Sequence, residues 1–293
     1  MDEFRSFYKE VTDRKANTWC RWTTRLDTYG CGCGHNCDYC YARSLLDFRG
    51  LWHPDRPSIA DLKKIRNRIS NLKIGSIVRM GGMTDCFQPC EAEQYVTYDT
   101  IKMLNDYGIG YLIVTKSDMI TKPAYLREMD KDLAHIQITI TSTKDITYER
   151  APSFERRKAA IEELQAEGFD VSIRLSPYLP EYADTDKVND IKCDKILAEF
   201  LKVNPYIKTK FNINYSEYTL KCGGYTHLPL DKKISLVNRL TNFKEISVGE
   251  YVNEHYEYFR DNVNANPDDC CNLRLPSSQS GAKWETMSIL DYI

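Results

Sequence analysis

Short β-branched runs alternate with amphipathic segments along most of this 293-residue sequence. That alternation is what a parallel sheet covered by helices requires, because two parallel strands can be joined only through a long crossover. Ser76–Met80 reads as a strand ending at Gly81-Gly82, and Glu93–Tyr107 as a helix stopped by Gly108. Tyr111–Thr115 is the next strand, and a helix over Pro123–Lys131 leads to a strand at Ile136–Thr141. Phe154–Glu167 reads as a helix closed by Gly168 before a strand at Asp170–Leu175, followed by a helix over Lys187–Lys202 and a strand at Lys210–Asn214. Trp22–Thr28 supplies the first strand. The pattern predicts an α/β fold of about six β/α units in a single domain over residues 1–293. A barrel core is expected at about 20–245 and an irregular cap at about 246–293, where Tyr, Asn and Asp accumulate without a clear period.

A hydrophobic content of 42% is enough for a full core. Forty basic residues against 42 acidic ones give a net charge of −2, so no chain-wide positive field exists to hold a nucleic-acid backbone. The N-terminus lacks a secretion-signal pattern and no apolar run reaches membrane-spanning length, which places the chain in the cytoplasm as an expectation. Eleven cysteines in such a chain point to metal or redox chemistry rather than a disulfide framework.

Three of them, Cys33, Cys37 and Cys40, form a CxxxCxxC trio. Three thiolates from one short loop can bind a [4Fe-4S] cubane and leave its fourth iron open. Gly32, Gly34 and Asn36 suit a loop that folds tightly around such a group. The same spacing also fits a structural zinc site with Cys31 or His35 as fourth ligand, and spacing alone leaves both open.

The stretch Cys33-Gly-His-Asn-Cys37-Asp-Tyr39-Cys40-Tyr-Ala-Arg43 resembles the radical S-adenosylmethionine (SAM) superfamily, in the branch of spore photoproduct lyase. Thr84-Asp85-Cys86-Phe87-Gln88-Pro89 resembles that branch's TD-x-[YF]-QP element, and Thr115-Lys116-Ser117 its TKS element. Ile138–Thr141 is similar to its fourth-strand Ser/Thr motif, and Ala151-Pro152 to a recurrent step before a helix. The resemblance covers roughly Gly30 to Pro180 and implies a partial (β/α)6 barrel with a [4Fe-4S] cluster and SAM at the strand C-termini. SAM would chelate the open iron and be cleaved to a 5′-deoxyadenosyl radical. The resemblance further implies that Gly81-Gly82 approaches the SAM amino group, although Gly-Gly-Met stands here where the superfamily has Gly-Gly-Glu. Thr84 and Asp85 would contact its ribose or methionyl part, Lys116 its carboxylate, Thr139 would add a hydroxyl, and the Tyr39 backbone would meet the adenine. Taken singly, the same residues also read as a turn, a cap, a solvated charge and a strand hydroxyl.

Arg174, at the end of an apolar strand and followed by Ser176-Pro177-Tyr178, is a candidate for a substrate phosphate or carboxylate, with Tyr178 and Gln88 beside it; a partnered structural arginine is the alternative. Glu149 and Arg150 read as a local ion pair. Cys86, Cys90, Cys193, Cys222, Cys270 and Cys271 are candidates for an auxiliary cluster but lack compact ligand spacing, and most read as buried small side chains. Tyr251, Tyr256, Tyr258 and Phe259 read as base-stacking or core aromatics. The branch's DNA-repair chemistry places a cysteine just before the Thr-Asp element, where this chain has Gly82 and Met83, so that role does not carry over to Cys86. Chain size and an Ile/Lys/Tyr/Asn-rich character look like the queuine lyases, which release queuine from queuosine 5′-phosphate. The partners implied are a small nucleoside or nucleotide and an electron donor such as flavodoxin or ferredoxin, with no membrane and no nucleic acid. A repair enzyme, or a non-catalytic iron-sulfur or zinc protein binding nucleotide or RNA, are the competing readings.

Overall fold

The computed structural model describes residues 4–9 and 21–275. Eight strands form one sheet in the order β1 (Phe7–Lys9), β2 (Thr24–Leu26), β3 (Ile77–Met80), β4 (Gly110–Thr115), β5 (Ala134–Ile140), β6 (Asp170–Leu175), β7 (Lys195–Glu199) and β8 (Glu245–Gly249). β1 runs antiparallel to β2, and every other neighbouring pair is parallel. Strand order follows chain order, so each crossover lands beside its predecessor. The edge strands β1 and β8 do not pair, which leaves a partial barrel rather than a closed one.

Between β2 and β3 lie α1 (Tyr41–Leu46) and α2 (Leu62–Ile69), and between β3 and β4 lie α3 (Glu91–Gln94) and α4 (Val96–Asp106). Next come α5 (Pro123–Glu128), α6 (Phe154–Ala166) and α7 (Thr185–Asn189), one per crossover. The last crossover carries α8 (Pro205–Lys210), a hairpin of Leu220–Cys222 with Tyr225–His227, and α9 (Leu230–Val237); α10 (Asn253–Asn262) follows β8. No helix among the described residues is long and apolar enough to cross a membrane.

The period-2 alternation of strands gives the sheet two unlike faces. Val78, Met80, Tyr111, Ile113, Ile136, Ile138, Ile173, Leu175, Ile196 and Ala198 join the helices in the main apolar core. The opposite face presents Arg25, Arg79, Val114, Thr139, Arg174 and Glu199 to a cavity.

The six-unit reading holds for its first five strands and fails at the sixth. Lys187–Lys202 is not one helix: α7 ends at Asn189 and Lys195–Glu199 is β7. Ile196 and Ala198 are buried against the helices and Leu197 on the other face, so the strand is apolar on both sides and shows no alternation. Lys210–Asn214 is not a strand: Lys210 ends α8, which Pro205 opens and Asn204 caps by accepting the Ile207 N–H at 2.8 Å, and residues 211–214 are irregular. The expected core–cap boundary at 245/246 falls inside β8, and α10 follows it. Their period was hidden because the buried stripe of α10 is His255 and Phe259. The helix expected at Glu93–Tyr107 is interrupted by Tyr95, whose φ of 55° separates α3 from α4.

An irregular segment beyond α10 does close one end, the N-terminal end of the strands. Asp269 accepts from Trp22 Nε1 at 2.9 Å, Asn272 donates to Ser247 Oγ at 2.7 Å, and the Arg274 N–H donates to Asp170 at 2.7 Å. Residues 276–293 of the expected cap lie outside the described residues.

Glu91, in the Gln-Pro-Cys-Glu turn after β3, is wholly buried. It accepts from Tyr29 Oη, Tyr125 Oη (2.6 Å), the Thr97 N–H (2.9 Å) and the Tyr98 N–H (3.0 Å). Removing that acceptor strands four donors in the core. Glu91→Ala is expected to lower stability by about 3 kcal/mol, read as a lower urea midpoint at unchanged slope, with Glu91→Gln costing less.

Candidate active site

The loop after β2 brings the three cysteines to the C-terminal end of the sheet. Cys33 and Cys37 are buried, and all three thiols are free of disulfides. The chain turns twice between them, with the Asn36 N–H bonded to Cys33 O at 2.9 Å and the Cys40 N–H to Cys37 O at 3.3 Å; Asn36 takes a left-handed φ of 43°.

Two segments grip this loop from opposite sides. Gln88 Oε1 accepts the Gly34 N–H at 2.8 Å, and His35 Nε2 lies 3.2 Å from Asp85 Oδ2. Asp85 also accepts from Thr115 Oγ1 (2.7 Å), the Lys116 N–H (2.7 Å) and the Phe87 N–H (2.9 Å). Burial opposes its charge, but His35 and these donors hold its pKa below the usual carboxylate range. On the other side the Asp38 N–H donates to Tyr148 O at 2.9 Å and the Arg150 N–H to His35 O at 2.7 Å.

That second grip delivers Glu149, whose side chain is fully buried. Its carboxylate meets Arg157 Nη2 at 3.0 Å and Lys116 Nζ at 3.3 Å, accepts from Tyr39 Oη, and lies 3.8 Å from Cys37 Sγ. Burial alone would raise its pKa; Lys116 and Arg157 overcome that and bring it to about 2. Lys116 also donates to Thr141 Oγ1 at 2.9 Å and sits over the Tyr39 ring. The expected Glu149–Arg150 pair is therefore absent: Arg150 reaches Asp55 at 2.8 Å instead.

The turn after β3 is shaped by Asp27, at the end of β2. Asp27 accepts from the Gly82 N–H (2.8 Å), the Met83 N–H (3.0 Å) and Tyr8 Oη (3.1 Å). Burial outweighs those donors and pushes its pKa up to about 6. Gly81 has a φ of 82°, and a Cβ there would stand 2.4 Å from Val114 O, so the backbone can pass here only as glycine.

A cavity of about 330 Å3 joins these parts. Its walls include Cys33, Cys37, Tyr39, Cys40, Gly81, Gly82, Thr84, Asp85, Lys116, Thr139 and Arg174, eleven of the thirteen residues singled out from sequence. The other two are corrected. Tyr178 is fully buried, bonded to Thr185 Oγ1 at 3.0 Å and stacked on Phe200, and Gln88 braces the cysteine loop from below. Asp27, Glu149 and Arg157 were missed, as were Arg25, Arg79 and Glu199. A lone acid near the end of the expected first strand was the only signal for Asp27. Nothing in the local sequence distinguished Glu149 from a surface acid.

The donor set is three thiols of one loop on one cavity wall, the kind of set that holds an iron-sulfur cubane with one iron left open. Burial, then Asp85, pushes the Cys33 thiol up to about 12, and burial raises Cys37 and Cys40 too. Such thiols become thiolates only against a concentrated positive charge, which iron supplies.

Residues 28–192 match the sequence profile of the Radical SAM superfamily. The chain belongs to that superfamily. Its fold is shared with a double mutant of spore photoproduct lyase with bound AdoMet and dinucleoside spore photoproduct, at 13% identity and a TM-score of 0.57 over 85% of this chain and 78% of that chain. Spore photoproduct lyase complexed with the dinucleoside photoproduct matches at 13% identity and a TM-score of 0.60, over 88% and 78%. At these identities the likeness concerns the fold. No curated protein matches in sequence. Radical SAM enzymes use a [4Fe-4S] cluster and SAM, and the matched residues include Cys33, Cys37 and Cys40.

Two carboxylates of opposite behaviour make the site sensitive to pH. The stabilisation from Glu149 is full above pH 4.5 and is lost as pH falls through about 2, so Glu149→Gln should cost roughly 3 kcal/mol near pH 7 and progressively less toward pH 2. Asp27 has the reverse sign, since its raised pKa costs stability as pH climbs from 3.8 through about 6. Urea unfolding should show Asp27→Asn gaining roughly 3 kcal/mol on the wild type between pH 4 and pH 7.

Proposed function

We propose that this chain is a lyase that cleaves SAM and acts on a small anionic nucleotide, with queuosine 5′-phosphate, releasing queuine, as the substrate. The observation that supports an anionic substrate is the charge of the cavity wall. Arg25, Arg79, Lys116, Arg174 and Lys202 line it, against the acids Asp85 and Glu199. A cleft of that sign selects phosphates and carboxylates even in a chain of net charge −2.

When bound through Cys33, Cys37 and Cys40, the cluster would supply the electron that splits SAM into methionine and a 5′-deoxyadenosyl radical. The chain's own residues bind and orient. The Gly81-Gly82 backbone, held open by Asp27, admits the methionyl amino group. Lys116, kept in place by Glu149 and Thr141, offers its charge to the methionyl carboxylate. Asp85, its acceptor sites taken by Phe87, Thr115, Lys116 and His35, positions the cysteine loop against β4 beside the SAM site, Thr84 and Thr139 offer hydroxyls to SAM, and the Tyr39 backbone faces the adenine. Arg174 donates to Gln137 Oε1 at 2.6 Å and pairs with Glu199, whose second oxygen accepts from Ser176 Oγ at 2.8 Å. Glu199 thereby fixes one guanidinium edge and also feels Arg79, orienting both arginines along the wall for a substrate phosphate. Tyr41 and Tyr251 offer flanking rings for the base. Loss of a ribose hydrogen atom to the radical would give 5′-deoxyadenosine and a sugar radical; the base would leave as queuine with a sugar hydroxyl proton, and the keto-sugar radical that remains would take one electron from the external donor and one proton.

Cys86 does not support the DNA-repair reading. It is buried in the apolar core, and its carbonyl is bonded to Thr97 Oγ1 at 2.6 Å, with no part of it on the cavity wall.

Anaerobically reconstituted and reduced protein is expected to yield 5′-deoxyadenosine and queuine from SAM and queuosine 5′-phosphate, followed by chromatography. Replacing Cys33, Cys37 and Cys40 by Ala should abolish both products. Arg79→Ala should raise KM for the 5′-phosphate about tenfold and that for queuosine much less. SAM cleavage without base release would remove this substrate while leaving the SAM chemistry intact.

A further inference from the structure

Cys270 and Cys271 stand next to each other in the irregular segment that closes the N-terminal end of the strands, and the proposed chemistry uses neither. They are the two central residues of a turn, since the Asn272 N–H donates to Asp269 O at 3.0 Å, and both are free thiols, Cys270 half-buried and Cys271 buried. The Cys270 S–H is hydrogen-bonded to Cys271, so the two sulfurs already face one another. Cys271 packs against Trp22, Ile77, Leu112 and Leu197. The last three lie two residues before Arg79, Val114 and Glu199 on β3, β4 and β7, and so share their face of the sheet. The pair therefore sits one layer of side chains below the cavity. The Cys270 hydrogen bond, with Arg79 and Arg174 behind it, brings the Cys271 thiol below its ordinary value against burial and Asp269.

The turn is the anchor of the whole closing segment. Asp269 accepts from the Cys271 N–H at 3.0 Å and the Leu273 N–H at 3.2 Å as well as from Trp22, and Asn272 O accepts from Lys195 Nζ. Consecutive Cα atoms stand about 3.8 Å apart across a trans peptide, closer than the roughly 4.4 to 6.8 Å that an ordinary disulfide spans. A bond between neighbouring cysteines is therefore strained, readily reopened by thiols, and formed only if the peptide between them shifts and disturbs the Asn272-to-Asp269 bond. Such a small ring constrains the unfolded chain very little, so nothing offsets the disturbed turn.

We propose that Cys270 and Cys271 form a reversible oxidation site, at which a small disulfide of the glutathione class closes a bond between the two neighbouring sulfurs and reshapes the turn beneath the cavity. Cys270, the sulfur reached from outside, attacks one sulfur of the oxidant and displaces one thiol. Cys271 then attacks Cys270 Sγ and displaces the second. The pair loses two electrons and two protons, and the oxidant leaves as two thiols; excess thiol runs the same steps backwards. The proposal does not depend on which substrate enters the cavity.

The tryptic peptide 261–274, bounded by Arg260 and Arg274, carries these two cysteines and no other. Protein reconstituted with its cluster, so that Cys33, Cys37 and Cys40 are occupied, is incubated without oxygen with excess oxidised glutathione, alkylated, digested and weighed by mass spectrometry. The wild-type peptide should lose both alkylation sites and two hydrogens, and regain them after treatment with reduced glutathione. Cys271→Ser should retain glutathione on Cys270, and in Cys270→Ser the buried Cys271 should be modified about tenfold more slowly. The urea midpoint of the wild type should fall on oxidation, whereas that of the double variant Cys270→Ser with Cys271→Ser should not move under the same treatment. A wild-type peptide that stays alkylated at both cysteines, or that carries glutathione without closing the ring, would overturn the proposal. So would ring closure with an unchanged midpoint, since the turn would then not have been reshaped.

Discussion

The carboxylate of Glu149 is the contact on which the arrangement of this site depends. It ties the loop after β5 to the cysteine loop through Tyr39 and Cys37, to the end of β4 through Lys116, and to α6 through Arg157. A buried carboxylate survives only with charge and hydrogen bonds around it, and here two cations and a phenol provide them. Each partner is then fixed in turn. Lys116 cannot swing into solvent without abandoning Glu149, and Arg157 donates to Thr139 O at 3.0 Å, tying the end of β5 to the same network. The charge therefore makes several crossovers, distant in sequence, agree on one geometry around the cysteines.

The sheet explains why such a network is possible. Its helix-facing side supplies the apolar core, so stability does not have to come from the other face. Freed from that demand, the inner side carries Arg25, Arg79 and Arg174 on three different strands, with Arg25 and Arg79 paired directly across β2 and β3. Glu199 acts on Arg174 and Arg79 from the same wall, so the arginines of three strands share one acid on this face. The same division puts the apolar segment around Cys271 and Leu273 against the opposite end of that face, where it shields the strand ends from water.

What was legible in the sequence followed from local rules. The cysteine trio, the glycine turn and Lys116 sit next to strand ends that alternation reveals, and their order along the chain carried the family resemblance. β7 was lost because a strand buried on both faces has no period, and α10 because a histidine stands in its buried stripe. Glu149 and Asp27 were lost for a different reason. Their roles are set by partners outside their local stretch, Tyr39 and Lys116 for one and Tyr8 on β1 for the other, and sequence proximity suggested only Arg150 for the first and nothing for the second. Tyr178 shows the converse error, since its place after a strand end suggested the cavity while its ring turned into the core against Phe200.

The net charge of −2 concealed the most informative property of the molecule. Averaged over the chain, acids cancel bases; resolved in space, they do not. The cavity wall carries Arg25, Arg79, Lys116, Arg174 and Lys202 against Asp85 and Glu199, and the balancing acids are distributed elsewhere. The loop that holds Cys33, Cys37 and Cys40 forms one side of that wall, and it is fixed there by Glu149 beside Cys37 and by Asp85 beside His35.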